Sequence, residues 1–142
     1  MAHIHKSAAT LRIMGENLIP AEITNLLGCE PTHEQTKGQV FTSKSSGSKR
    51  TAKAGIWRLQ AKETTPENLD VQIEEIFNKL SSDLDVWESL KTEYDIDLFC
   101  GIFMSGSNEG MEISPSSLKL LGERGIKLGL DIYGPLEGEE NA

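Results

Sequence analysis

The sequence contains little cysteine and no long apolar run. Cys29 and Cys100 are the two cysteines among 142 residues; they lie far apart, and neither has the spacing of a metal-binding pair. We therefore expect no disulfide framework and interpret both thiols as buried groups in a reducing cytoplasm. The longest apolar run is a few residues, whereas a membrane-spanning helix needs roughly 20. The N-terminal residues lack the apolar segment of a secretory signal, so the prediction is a cytoplasmic protein without a membrane segment.

Motifs that carry catalysis or bind cofactors are also missing. The sequence has neither a Gly-x-Ser-x-Gly nucleophile elbow nor the Gly-x-x-x-x-Gly-Lys pattern of a phosphate-binding loop. Its three histidines, His3, His5 and His33, do not supply the close ligand pairs that structural zinc requires. We expect no metal, no cofactor and no catalytic residue, and the sequence favours a protein without enzymatic activity.

Basic residues are scarce in the second part of the chain. Residues 1–62 hold nine of the 14 Lys and Arg residues against four acids, whereas residues 63–142 hold five against 18 acids. An acidic protein with a net charge of −8 is a poor general binder of nucleic acid, whose phosphates require a basic surface. The charge fits a basic protein partner, and the alternative is that it only keeps the protein soluble.

Length and patterning predict one α+β domain. A chain with 37% hydrophobic and 25% charged residues fits a single globular domain spanning residues 1–142. We expect an ordered core over residues 9–135, flexible tails at 1–8 and 136–142, and a flexible loop at 43–54. The predicted order is β-α-β(hairpin)-α-α-β-β-α-β. It indicates a mostly antiparallel sheet of about five strands with helices packed on one face.

Apolar periodicity places the individual elements. The predicted strands are 9–15, 39–42, 55–62, 96–104, 110–114 and 127–133. Thr65 and Pro66 are predicted to open the longest helix, and the stretch 96–133 is predicted to supply the centre of the sheet. On the last strand, Leu128, Leu130 and Ile132 are expected to point inward.

Several short motifs occur in a fixed order along the chain. They are Leu27-Gly28-Cys29-Glu30-Pro31, Lys37-Gly38, Gly55-Ile56-Trp57-Arg58-Leu59, Ile113-Ser114-Pro115, then Leu118, Leu121, Gly125, Leu128 and Leu130-Asp131-Ile132-Tyr133. Their order and spacing resemble the bacterial family known as domain of unknown function 4279. The resemblance runs roughly from the first strand to Tyr133. It implies a small, cytoplasmic, bacterial single-domain protein, and it implies no reaction.

A loop rich in serine and lysine is a candidate anion-binding site. Lys44, Lys49, Arg50 and Lys53 could hold phosphate or another anion through their charged groups and through backbone N–H groups. The loop lacks the interleaved aromatic residues that stack on nucleic acid bases. The alternative, which the composition favours, is a solvated hairpin tip.

The second candidate site is one face of the predicted strand 96–104. Strict alternation places Asp97, Phe99 and Phe103 opposite to the core, and Asp131 and Tyr133 on the last strand are predicted to join them. Uncovered phenylalanines would form an apolar patch of a kind that monomers usually avoid. We therefore predict a partner-binding surface of aromatic anchors with carboxylates around them. The alternative is that the long loop or a helix of the chain covers them.

These observations lead to a hypothesis of protein binding. The main expectation is a non-enzymatic binding module whose acidic half meets a basic protein, in particular an immunity-type inhibitor of a basic bacterial toxin. One alternative is a small enzyme or ligand-binding domain with a pocket near Asp97, Asp131 and Tyr133, in which Arg58 also takes part. Another alternative is a homodimer joined through the free sheet face.

Overall fold

A computed structural model describes residues 3–135, and this part of the chain forms seven strands and four helices. The strands are β1 (Lys6–Gly15), β2 (His33–Gln35), β3 (Val40–Thr42), β4 (Lys49–Thr51), β5 (Gly55–Gln60), β6 (Asp95–Phe103) and β7 (Lys127–Tyr133). The helices are α1 (Pro20–Leu27), α2 (Leu69–Asn78), α3 (Leu84–Glu93) and α4 (Pro115–Glu123). The predicted α+β class is confirmed.

The central strand of the fold is β1. It belongs to a five-stranded sheet in the order β2-β5-β1-β6-β7, and it pairs antiparallel with both β5 and β6. β2 pairs antiparallel with β5, whereas β7 runs parallel to β6 because α4 connects the two strands. β3 and β4 form a separate two-stranded ribbon. The mostly antiparallel sheet is as predicted, but its centre is β1 and not the stretch 96–133.

One face of the sheet carries the hydrophobic core. On β1, Ala9, Leu11 and Ile13 are buried, and the residues between them are half-buried. The same alternation on β5 and β6 buries Trp57 and Leu98 completely. The buried residues of all four helices join this one cluster, so the helices lie on one face of the sheet, as predicted. We name the opposite face, which no helix within residues 3–135 covers, the open face.

Local signals set the ends of the helices. α1 begins at Pro20 and is followed by Gly28, whose φ of 79° is a left-handed conformation that glycine adopts without strain. At the start of α4, the Ser114 hydroxyl accepts a hydrogen bond from the Ser117 N–H. The Asp70 carboxylate of α2 accepts hydrogen bonds from the Ser114 N–H and the Ser117 hydroxyl, which ties the two helices together. Burial acts to raise the pKa of Asp70, but these hydrogen bonds outweigh it and hold that pKa below its ordinary value.

Two predicted starts of elements are wrong. β1 begins at Lys6 and not at residue 9, because Lys6, Ser7 and Ala8 already pair with the end of β6. α2 begins at Leu69, whereas the sequence predicts Thr65 as the cap and Pro66 as the first helical residue. Its cap is Asn68, whose side chain accepts a hydrogen bond from the backbone in the first turn.

The predicted strand 110–114 and the last strand also differ from expectation. Gly110 forms an isolated bridge with His3, and the residues after it are irregular. Met111 and Ile113 nevertheless pack against the core, so their alternating pattern comes from a loop that follows the core surface. On β7 the backbone alternates as predicted, but Leu130 and Ile132 are exposed because no helix in residues 3–135 covers them.

The polar segment between β2 and β5 forms a long hairpin. The backbone N–H of Ala52 bonds to the Gln39 carbonyl, and the N–H of Gly38 bonds to the Ala52 carbonyl. β3 and β5 correspond to the predicted strands 39–42 and 55–62, whereas β4 lies inside the segment 43–54 that was expected to be a loop. The predicted tail 136–142 lies outside the described residues. Between residues 3 and 135, no helix combines the length and the apolar character that crossing a membrane requires.

Two glycines give a matched test of this packing. A Cβ on Gly55 would overlap the carbonyl oxygen of Leu18, whereas a Cβ on Gly122 of α4 meets no atom within 4 Å. We expect Gly55→Ala to lower the free energy of unfolding by about 2 kcal/mol, because the backbone must shift. Gly122→Ala should raise it by about 0.5–1 kcal/mol, because alanine favours a helix. Urea titration measures both values, and equal effects would contradict the close approach at Gly55.

Candidate functional site

A row of polar and charged side chains crosses all five strands on the open face. Residues that are paired in register point to the same side of a sheet. From one edge of the sheet to the other, the row consists of His33, Arg58, Arg12, Asp97 and Lys127. It holds three Arg or Lys residues against one carboxylate, so it is locally positive in a protein whose net charge is −8.

Arg12 lies at the centre of this row. Its Nε donates to Oδ1 of Asp97 at 2.8 Å and its Nη2 donates to Oδ2 at 2.6 Å, which makes a bidentate pair. The guanidinium carbon also lies 4.4 Å from the centroid of the Phe99 ring. The hydrogen bond to Asp97 raises the pKa of Arg12 against the opposing effect of burial. Arg12 therefore holds the carboxylate in place and covers an aromatic ring at the same time.

A second set of contacts lies where β6 and β7 end. The rings of Phe103 and Tyr133 stack with centroids 4.9 Å apart and planes 7° apart, and Lys6 Nζ lies 4.4 Å from the Phe103 centroid. Gly101 leaves space for this arrangement, because a Cβ there would come within 3.0 Å of the Phe103 ring. The Tyr133 hydroxyl donates to Asp131 at 2.6 Å. This hydrogen bond and the nearby negative charge raise the pKa of Tyr133.

All residues of the predicted partner-binding surface lie on the open face. They are Asp97, Phe99, Phe103, Asp131 and Tyr133. Both phenylalanines are half-buried, and the cationic side chains of Arg12 and Lys6 lie over their rings. The two aspartates are engaged by Arg12 and by Tyr133, so they do not form a free acidic ring. That a partner binds here stays a prediction.

The sequence names Arg58 only as a member of the alternative pocket, and it does not assign Arg12 to this surface. Alternation placed Arg12 opposite to Leu11, but the register that brings it beside Asp97 and Arg58 depends on strand pairing. Arg58 lies directly across from Arg12, and within residues 3–135 its Nε is buried and makes no hydrogen bond. Within the same residues Arg58 forms no ion pair with a carboxylate, whereas Arg12 pairs with Asp97. Arg58 is therefore the arginine of the open face that is left to pair with a carboxylate from outside.

The predicted anion-binding loop forms the β3–β4 ribbon and its turn. Lys44, Lys49, Arg50 and Lys53 are all exposed. Lys49 and Arg50 are consecutive on β4, so they point to opposite sides of the ribbon. The Arg50 guanidinium lies over the Phe41 ring, with 4.6 Å between its carbon and the ring centroid. The contacts do not gather the four cations around one position, and anion binding stays a prediction.

A cavity of about 370 Å³ lies beside the aromatic stack. It is lined by His5, Lys6, Phe103, Met104, Tyr133, Gly134 and Pro135. Neither Asp97 nor Asp131 lines it. In the described part of the chain, no group of three or more His, Cys, Asp or Glu residues is placed to hold a metal ion. Cys100 is buried in the core, and burial raises the pKa of its thiol to about 12, so the thiolate is not formed at neutral pH.

A group of exposed carboxylates lies on the other side of the sheet, on the helical layer. Exposed carboxylates of α2, α3 and the residue before α3 belong to Glu74, Asp83, Asp85, Glu88 and Glu93. Two lysines offset part of this charge: Lys79 pairs with Glu75 at 3.8 Å and Lys91 pairs with Glu88 at 2.9 Å. The acidic surface and the aromatic surface are therefore separated by the thickness of the protein.

Fold and site together define the class of protein: an α+β domain whose sheet leaves one face with charged and aromatic side chains open. The chain belongs to the family described as Domain of unknown function (DUF4279), whose model matches residues 4–135. The resemblance found in the sequence motifs is thus confirmed. No curated protein and no solved structure matches the chain.

A double-mutant cycle tests the pair at the centre of the open face. From Arg12→Ala, Asp97→Ala and the double variant, we expect a coupling energy of about 1–2 kcal/mol, because the pair is bidentate and half-buried. The exposed pair of Lys119 and Glu123, with 3.6 Å between charged atoms, is the control and should give less than about 0.5 kcal/mol. Urea titration supplies the free energies. Equal coupling in both cycles would contradict the geometry at Arg12.

Proposed function

We propose that this protein is a non-enzymatic protein-binding module that docks its partner through the open face. One observation carries the proposal: this face, which no helix within residues 3–135 covers, holds aromatic rings and an arginine, Arg58, that forms no ion pair within those residues, whereas Arg12 pairs with Asp97. Arginine and aromatic side chains are the residue types that most often dominate the binding energy of protein interfaces. A bacterial, cytoplasmic setting belongs to the proposal. The free thiols of Cys29 and Cys100 support the reducing compartment.

The chemistry of the open face favours a partner that carries a carboxylate next to an apolar side chain. The carboxylate would accept a hydrogen bond from Arg58. Arg58 is the cross-strand neighbour of Arg12, so two positive charges lie side by side there. One row away, Met14 and Ile56 are cross-strand neighbours and both are half-buried. Phe99 offers a second apolar contact beside Arg12. A partner with this chemistry would pair with Arg58 and would cover apolar groups that are otherwise partly exposed to water.

A nucleic acid partner fits this face less well. The charged row is interrupted by Asp97, which is bonded to Arg12, so the row is not the continuous basic stripe that phosphates require. A small-ligand or enzymatic role draws on the cavity beside Tyr133. Neither aspartate that was expected to act there lines that cavity, so protein binding has the stronger support.

A second candidate function is supported by the helical layer. There the exposed carboxylates of α2 and α3 outnumber the lysines that pair with them. Such a surface attracts a basic protein and speeds its encounter. An immunity-type inhibitor of a basic bacterial toxin would dock through this layer and not through the open face.

Photo-crosslinking from two matched positions distinguishes these candidates. Gln60 on β5 is exposed on the open face, and Val71 on α2 is exposed on the helical layer. The full chain with benzoylphenylalanine at either position is irradiated in the cells that produce it, and adducts are identified by mass spectrometry. We expect an adduct with another protein from position 60 and none from position 71.

Arg58→Gln in the same experiment tests the role of the unpaired arginine. It removes the charge and keeps a side chain of moderate length, so the adduct from position 60 should be lost. Lys119→Gln, which removes an exposed cation of α4, is the control and should leave the adduct unchanged. Adducts from position 71 alone would contradict docking through the open face and favour the acidic surface. Adducts from neither position would contradict both candidates.

A further inference from the structure

The two edges of the five-stranded sheet differ in their protection. β2 is an edge strand of three residues, and its first two, His33 and Glu34, are exposed. β7, the opposite edge, has seven residues and exposes aliphatic side chains: Leu130 is 44% exposed and Ile132 is 59% exposed. Long edge strands with exposed apolar residues readily pair with another strand, and proteins usually block them with charge, proline or short length. β7 is long and carries exposed aliphatic side chains, so its outer edge favours pairing with another strand.

One hydrogen bond shows which backbone groups of β7 point outward. The N–H of Met104 donates to the carbonyl of Tyr133 at 2.9 Å, so the backbone groups of Tyr133 point toward β6. The direction of these backbone groups alternates along a strand, so every second residue shares it. The N–H and C=O groups of Lys127, Gly129 and Asp131 therefore also point toward β6. The N–H and C=O groups of the other three residues therefore face the outer edge of the sheet. These residues are Leu128, Leu130 and Ile132, the same residues whose aliphatic side chains lie on the helix side.

We propose that a second copy of this chain pairs with β7 in an antiparallel, two-fold symmetric arrangement with the axis between the two Leu130 residues. In this register Leu130 faces the partner's Leu130, and Leu128 faces the partner's Ile132. Every outward N–H and C=O then finds a partner, which makes six backbone hydrogen bonds by the alternation rule, about two for each facing pair. On the helix side the aliphatic residues of both strands form one apolar ladder.

The open-face side of β7 is also complementary to itself in this register. Lys127 faces the partner's Tyr133 and lies diagonally next to the partner's Asp131, so each cation meets an aromatic ring and a carboxylate. Gly129 faces the partner's Asp131, where its missing side chain leaves space. A register shifted by two residues places Gly129 on the axis and uses four backbone hydrogen bonds, about two for each of its two pairs. A shift by one residue sets outward-facing groups against inward-facing ones and is excluded.

Such pairing gives a closed dimer with one continuous sheet. The two-fold axis is perpendicular to the sheet, so the open faces of both copies lie on the same side. This inference does not rest on the proposed function, because it concerns the edge of the sheet and not its face.

Charged substitutions at Leu130, which lies at the two-fold axis, test the arrangement. Leu130→Lys places two ammonium groups against each other, and Leu130→Glu places two carboxylates there. We expect the wild-type protein to show a concentration-dependent dimer in sedimentation velocity, and each variant alone to dissociate at least about tenfold more readily. An equal mixture of the two variants should recover the dimer, because one lysine then faces one glutamate. Circular dichroism checks that both variants remain folded.

Val40→Lys is the matched control, because Val40 is also on a strand and is 55% exposed. It should dimerise as the wild type does. A wild-type protein that stays monomeric up to hundreds of micromolar would overturn the proposal. A dimer that both Leu130 variants leave intact, or a mixture that does not recover it, would overturn it as well. Association that continues beyond two copies would contradict the closed symmetry.

Discussion

The pairing of β1 on both of its sides determines what the rest of the protein can do. Because β5 and β6 share its register, the alternation on β1 sends one set of side chains into the core and the other onto the open face. A slip by one residue would expose Leu11 and bury Arg12, which is too costly to occur. A buried polar contact ties β1 to α2 on the core side: the Ser7 hydroxyl donates to the Gln72 side chain at 2.7 Å, and the Gln72 amide donates to the Ser7 carbonyl at 3.0 Å.

Much of the fold is encoded in local patterns of the sequence. Trp57, Leu98 and Ile73 are buried as their periodicity predicts, since the core face repeats every two residues in a strand and about every 3.6 in a helix. An alternating pattern predicts the face of the sheet on which a side chain lies, but not whether another element covers that face. For this reason Leu130 and Ile132 are predicted to be buried but are exposed. It also cannot distinguish a strand from a loop that follows the core.

The candidate site was predictable in the part that one strand determines. Phe99 and Phe103 share a face because they are four residues apart on β6, and the sequence alone shows this. The contacts of Arg12 with Asp97 and with Arg58 depend on which strands are neighbours and in which register. That information is spread over positions 85 residues apart for the Arg12–Asp97 pair, so no local pattern contains it.

Charge is divided between the two layers of the molecule, and this separation shapes the account of its function. Exposed carboxylates are concentrated on α2 and α3, whereas the row across the open face is locally positive. A basic protein attracted by negative charge would bind the helical layer. A partner recognised through contacts with arginine and aromatic side chains would bind the open face. Docking through the open face requires that this face be accessible to solvent.

Hydroxyl-radical footprinting of the free protein tests that accessibility most directly. Phe77 of α2 lies in the core beside Trp87 of α3 and is 6% exposed. It is therefore a buried control of the same residue type as Phe99 and Phe103. We expect Phe99 and Phe103 to be oxidised several times faster than Phe77, because they are more exposed to solvent. Phe99 and Phe103 protected to the same degree as Phe77 would contradict it, because the chain itself would then cover the face.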